Sequence, residues 1–214
     1  MAGKSDARVR YTQHALKQAL LTLLKEKSVN KITVKEVCKL AELNRATFYS
    51  HYSDCFALLE AIENELLEAF AQSLTLIKSF DVAALIEAIY DMIGKNEEAC
   101  RVLIFQNPGS TVIHRMIDYA RPQSIAYWRQ ELRASDEELE MLYTHLSNGL
   151  MHVVVEGYDR YERETVVRFV RRDVFSVTVF RLRFSACRCC RSLPRRGAFR
   201  RARPFLRSQC QDTA

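Results

Sequence analysis

Apolar residues in the first third of the chain recur at three- and four-residue spacing. Across residues 11–27, Ala15, Leu16, Ala19, Leu20, Leu23 and Leu24 form one stripe, with Lys17, Lys25 and Lys27 among the polar positions. That period predicts an amphipathic helix. A turn follows at Ser28-Val29-Asn30-Lys31. Thr33 with Glu36 three residues later is a capping-box pair, so a second helix is expected to start at Val34, burying Val34, Val37, Leu40 and Ala41. Helix formers run out at Glu42-Leu43-Asn44, where Asn44 can cap a short third helix from Arg45 to about Tyr52. Ser53-Asp54 then opens a fourth helix carrying Leu58, Leu59, Ile62, Leu66, Leu67 and Phe70.

Beyond it, residues 81–95 and 97–106 read as two more amphipathic helices, broken by Asn107-Pro108-Gly109. A longer helix is expected from about Thr111 to Leu132, with Pro122 interrupting or kinking it. Ser135 with Glu138 makes a second capping box. The helix it opens carries Leu139, Leu142, Leu146, Leu150, Val153 and Gly157, a near-heptad stripe suited to packing along a partner helix. The fold class expected is all-α: a three-helix head, a helical body and an anomalous tail.

Charge sharpens this division. Residues 1–52 hold 10 basic and 4 acidic groups, residues 53–159 hold 7 and 18, and residues 160–214 hold 15 and 4. A basic head on an acidic body is what a polyanion-binding segment joined to a different module looks like, although a solvated charged face reads the same way. The 214 residues, 48% of them hydrophobic and 27% charged, exclude collagen-like, mucin-like and wholly disordered chains. No apolar run reaches the ~18 residues of a membrane span, and Met1–Arg10 lacks the apolar centre of a secretory signal. A soluble, cytoplasmic protein without a membrane partner is expected. Seven cysteines without a signal argue against a disulfide framework.

A short capped helix after a tight turn, inside a basic segment, is the helix-turn-helix arrangement, whose second helix enters the major groove by its N-terminal residues. The residues carry a more specific signal. The stretch from Ile32-Thr33-Val34-Lys35-Glu36-Val37 through Leu43-Asn44-Arg45-Ala46-Thr47-Phe48-Tyr49-Ser50-His51-Tyr52, followed by Leu58-Leu59, closely resembles the DNA-binding domain of the TetR/AcrR family of bacterial repressors. The likeness covers roughly residues 10–60. It implies a homodimer whose C-terminal helical domain binds a small effector and thereby releases double-stranded DNA. The implied domains are 1–60 for DNA binding, 61–170 for regulation and dimerisation, and 171–214 as a basic tail, disordered or frame-shifted.

The candidate DNA-binding residues are Thr33, Asn44, Arg45, Ala46, Thr47, Tyr49 and His51. Thr33, at a helix N-terminus, can meet a phosphate or serve purely as a cap. Arg45 can take guanine O6 and N7 with its planar fork, or hold a phosphate, or simply be solvated. Asn44 lies on the same turn and has capping as its plain alternative. The resemblance places Thr47 facing DNA, and Tyr49 and His51 where the family holds the phosphate backbone. Phe48 and Tyr52 are expected in the core.

Two positions depart from the resembled pattern. Glu42 stands where the family usually has Gly, so a non-Gly residue is expected in a left-handed conformation at a cost of about 1 kcal/mol. Cys55 stands where Lys is common, which removes one phosphate contact and about one unit of salt slope.

In the body, Tyr90, Met92, His114, Met116, Tyr119, Tyr127, Trp128 and His145 are candidates to line an effector cavity. The near-heptad stripe predicts a homodimer through residues 136–170, with burial inside one subunit as the alternative. From Arg171 on, the chain has twelve Arg and no Lys, and Phe175 to Phe184 alternates like a strand. A shifted reading frame, an appended extension, and non-specific nucleic-acid binding are the readings of this tail. Cys187, Cys189 and Cys190 lack the gaps of a zinc knuckle, so no metal is expected. No phosphate loop, paired-His motif or nucleophile elbow occurs, so neither enzyme activity nor a cofactor is expected. The leading reading is a ligand-responsive repressor acting as a homodimer on a palindromic operator. The alternative is a helical protein-interaction module with degenerate DNA binding.

Overall fold

A computed structural model describes residues 2–74, 82–106 and 111–171, and every element in them is helical. The head comprises α1 (Ala2–Leu24), a 3-10 turn (Val29–Lys31), α2 (Val34–Leu40) and α3 (Arg45–Tyr49). Next comes α4 (Cys55–Leu74), then α5 (Val82–Lys95), α6 (Glu97–Cys100) running into a π-helical segment (Arg101–Phe105), α7 (Thr111–Glu131), α8 (Asp136–Gly157) and α9 (Arg163–Phe169). The strand-like Phe175 to Phe184 and the cysteine cluster at Cys187 lie outside the described residues.

The head closes around side chains that the helical period places inward. Leu16 and Leu20 of α1, Val37 of α2, Phe48 of α3 and Leu58 of α4 are all fully buried. Removing Phe48 to Ala would forfeit about 3–5 kcal/mol of burial and cavity energy. α4 then continues the same apolar stripe through Ile62, Leu66, Phe70 and Leu74 into the body, so one core runs through both parts. The expected boundary at residue 60 falls within this helix. Polar ties join head to body as well: Lys25 on the segment after α1 pairs with Glu98 of α6 at 2.6 Å, and Lys17 of α1 pairs with Glu65 of α4.

A second, smaller core forms between α7 and α8 from Ile117, Ile125, Trp128, Leu132, Leu139, Tyr143 and Leu146. The Tyr143 hydroxyl donates to the Ile117 carbonyl at 2.5 Å, and burial pushes that hydroxyl up to about 12. Leu139 and Leu146 of the heptad-like stripe are thus consumed by α7 of the same chain. Gly157 closes against α9: a Cβ there would stand 3.2 Å from Tyr161 and 3.7 Å from Val166.

Three expectations are corrected. α1 begins at Ala2, well before residue 11. α3 ends at Tyr49, three residues early. α7 continues through Pro122, so the proline does not interrupt it. Among the described residues no helix is long and apolar enough to cross a membrane.

Candidate nucleic-acid interface

The α2–turn–α3 unit is built from local side-chain-to-backbone bonds. Thr33 is extended (φ −106°, ψ 149°), and its hydroxyl accepts from the Glu36 N–H at 3.3 Å. The Glu36 carboxylate in turn accepts from the Thr33 N–H at 2.9 Å and from the Thr33 hydroxyl at 2.8 Å. Lys27 adds an ion pair at 2.5 Å. The Lys27 ammonium first, then the Thr33 donors, hold the Glu36 carboxyl down to about 2. The proton of the Thr33 hydroxyl is therefore already committed to a carboxylate, and Thr33 is first of all a cap.

The turn itself is a Schellman motif. The Leu43 N–H reaches back to the Cys38 carbonyl at 3.0 Å, and the Glu42 N–H reaches the Lys39 carbonyl at 3.4 Å. That pairing needs a left-handed residue after the helix cap. Ala41 ends the helix at φ −79°, and Glu42 takes φ 55°, as its place in the turn led us to expect. Cys55, the other departure, is buried as the first residue of α4; burial first, then Asp54, push its thiol up.

Asn44 caps α3. Its side-chain oxygen accepts from the Thr47 N–H at 2.7 Å and from the Thr47 hydroxyl at 2.9 Å. The structure thereby joins two of the candidate residues and points the Thr47 proton at the cap. Arg45 and Ala46, on the first turn of α3, are exposed. Tyr49 is 59% exposed one turn later and packs edge-on against the buried Phe48, ring centroids 5.6 Å apart. His51 is half-buried, its ring 6.3 Å from that of Tyr52. One outward surface thus holds Arg45, Ala46 and Tyr49, while Phe48 and Tyr52 face the core as expected.

Net charge had concealed which cations are free. Lys17, Lys25 and Lys27 are neutralised internally by Glu65, Glu98 and Glu36. Lys31, Lys35, Lys39 and Arg45 are exposed, and no side-chain hydrogen bond or ion pair engages them among the described residues. The three lysines were not among the candidate residues; their four-residue spacing alongside the Thr33–Glu36 capping box was the available signal.

The candidate effector residues do not converge. Tyr90, Met92 and Met116 belong to the main core, and Trp128 to the smaller one. His114, Tyr119 and His145 are exposed. Among the described residues the Tyr90 hydroxyl is buried without a hydrogen-bond partner. Its ring lies 5.5 Å from that of Tyr158, which stacks on Phe105 of the π-helical segment at 5.0 Å. The Arg163 guanidinium sits 5.7 Å from the Tyr90 ring centroid and pairs with Asp91 at 2.6 Å. Among the described residues no group of three or more His, Cys, Asp or Glu side chains is placed to hold a metal ion.

No family model matches the chain. Over 59 residues, 28% of its length, it is 34% identical to the uncharacterized HTH-type transcriptional regulator YxbF of Bacillus subtilis (strain 168), and the match spans only 16% of that relative. Among solved structures, the TetR transcriptional regulator from Streptococcus agalactiae 2603V is similar with a TM-score of 0.59 and 21% identity, over 79% of this chain and 96% of that one. The putative transcriptional regulator from Pseudomonas aeruginosa PAO1 is similar with a TM-score of 0.51 and 15% identity, over 74% of this chain and 86% of that one.

Proposed function

Starting from a chain that has the fold of TetR-type transcriptional regulators, we propose that it is a DNA-binding transcriptional repressor, active in the bacterial cytoplasm as a homodimer on a palindromic operator. The observation that carries this reading is the first turn of α3. Asn44 fixes that turn, the turn presents Arg45 and Ala46 outward, and the buried Phe48 anchors it from behind. Arg45 reads a guanine edge, and Tyr49 and His51 hold phosphates. Thr33 and Asn44 position the two helices through their caps, and Thr47 contacts DNA once its hydroxyl turns from Asn44. Residues 1–60 thus act as the DNA-binding domain and 61–170 as the regulatory and dimerisation domain. Two copies would set their α3 helices one duplex turn, about 34 Å, apart.

The outer face of α8 supports the pairing of two copies. Met141 is 64% exposed there, His145 and His152 are exposed on the same side, and a Cβ at Gly149 would meet nothing within 4 Å. This face is left open because the heptad-like stripe is taken up inside the chain, Leu139 and Leu146 against α7 and Leu150 and Val153 against the main core. The unpartnered Tyr90 hydroxyl supports a small-molecule effector in the body. Its binding would favour a subunit arrangement whose α3 helices no longer match the operator, a shift of population.

Binding to the DNA upstream of the gene, followed by anisotropy across a salt series, tests the reading. Specific, dimeric binding that Arg45→Ala weakens by about 1–3 kcal/mol, with relaxed preference at a single base pair, supports it. Weak binding indifferent to sequence favours the interaction module instead, a reading to which the strained Glu42 and the buried Cys55 lend weight.

A further inference from the structure

Away from the α3 surface, the body holds a polar group for which the fold supplies no partner. The Tyr90 hydroxyl of α5 is buried, in a residue only 7% exposed, and among the described residues nothing accepts its proton. Burial first, then the neighbouring Tyr158, push that hydroxyl up, so at neutral pH it is a donor. Aromatic rings line up beside it. The Tyr90 ring centroid lies 5.5 Å from that of Tyr158, with the planes 34° apart, and Tyr158 stacks on Phe105 at 5.0 Å and 28°. Tyr158 and Phe105 are half-buried, so the column runs from the interior toward the surface. Its outer ring stands on the π-helical segment, where the Gln106 N–H reaches five residues back to the Arg101 carbonyl at 3.0 Å. Such wide turns interrupt the regular helix ladder and recur at functional sites. The cations beside the column are already matched. Arg163 pairs with Asp91 at 2.6 Å and donates to the Glu87 carbonyl at 2.8 Å, and Arg101 pairs with Glu97 at 3.0 Å and Asp159 at 3.2 Å.

We propose that Tyr90, Tyr158 and Phe105 form a binding site for a small, uncharged, planar aromatic molecule that bears a hydrogen-bond acceptor, such as an aryl ketone. This rests on the effector reading and names the class of molecule that would serve it. Each part of the class answers one observation. A buried donor without an acceptor carries its full desolvation cost, and a ligand that brings the acceptor removes that cost. Ring faces tilted by 28–34° from one another suit the offset stacking that planar aromatic partners prefer. The absence of net charge follows from the ion pairs. With both guanidinium groups matched by carboxylates, an anion would bring an uncompensated charge into a poorly solvated place. One directional donor amid apolar rings is the usual means by which a small-molecule site fixes orientation.

The test is equilibrium dialysis of the full chain at neutral pH against methyl naphthyl ketone, naphthalene and naphthoate, which share one ring system and differ in acceptor and charge. The ketone should bind about fivefold more tightly than naphthalene, the margin of one hydrogen bond, and about tenfold more tightly than naphthoate. Tyr90→Phe should lower the ketone to the affinity of naphthalene and leave naphthalene where it was. Phe105→Leu should weaken both. A ketone that the wild-type chain does not bind overturns the site. So does a ketone affinity that Tyr90→Phe leaves unchanged, or a loss shared equally with naphthalene, which would be a packing effect alone. Naphthoate bound more tightly than the ketone overturns the uncharged class. The dialysis contains no DNA, so these outcomes are separate from the effector reading. Ketone binding that depends on Tyr90, yet leaves the complex with the upstream duplex intact, upholds the site and overturns its regulatory role.

Discussion

Glu42→Gly isolates the backbone strain of the helix-turn-helix. Glu42 is held at φ 55° by the two back-reaching bonds of the Schellman turn. A side chain in that left-handed conformation costs about 1–2 kcal/mol, and glycine escapes this cost. Glycine also loses more chain entropy on folding, by about 0.4–1 kcal/mol. Nothing else changes sides: the carboxylate is exposed and makes no hydrogen bond or ion pair among the described residues. The balance is a gain of about 0.8 kcal/mol, equivalent to about 2–3 °C in Tm for a chain of this size. Urea unfolding should show a higher midpoint at the same m-value. Glu42→Ala is the decisive control, because it removes the charge and keeps the Cβ. If Ala stabilises as much as Gly, the gain is electrostatic and the strain argument is wrong; a destabilised Gly variant would refute it outright.

Three further outcomes follow from single side chains. Asn44→Ala removes the α3 cap and should cost about 1 kcal/mol in urea unfolding, with Asn44→Ser restoring most of it. Tyr90→Phe deletes a buried hydroxyl that has no partner, so Tm should hold or rise in the absence of effector; a drop would mean the hydroxyl is bonded. Glu36 has its carboxyl lowered from 4.5 to about 2 in the folded chain, so its contribution is complete above about 4.5 and fades as pH falls toward 2. Thermal melts across that window should show a shallower acid decline for Glu36→Gln than for the wild-type chain.

The residues that could be read in advance are those whose partners lie within one helical turn. Thr33 with Glu36, Asn44 with Thr47 and Ser135 with Glu138 are bonds between positions three apart, so spacing alone locates them. Glu42 was readable through the resemblance alone, since the family usually has Gly at that place in the turn. The body was not readable in this way. Tyr90 and Trp128 sit on helices of the correct period, yet they face different cores, and the choice depends on how α5 and α7 cross their neighbours. Likewise the stripe on α8 correctly announces a partner helix, but periodicity carries no information on whether that partner is α7 or a second copy.

Charge shows the same limit, with a consequence for function. Ten basic residues in the first 52 suggest a uniformly cationic head. The fold instead assigns Lys17, Lys25 and Lys27 to joints: α1 to α4, the segment after α1 to α6, and that same segment to α2. Exposed pairs of this kind contribute only about 0–1 kcal/mol each to stability. Their larger effect is on distribution, because each also removes a cation from the field that a duplex would meet. Of the seven other basic residues, Lys31, Lys35, Lys39 and Arg45 lie on the segments that flank the turn carrying Glu42. Long-range attraction to a polyanion is therefore set less by the net charge of the head than by which of its acids are already occupied. An acid freed from its lysine, as in a Lys27→Ala chain, should therefore weaken DNA binding in the same anisotropy titration, because Glu36 would then add one unneutralised negative charge to the field that the duplex meets.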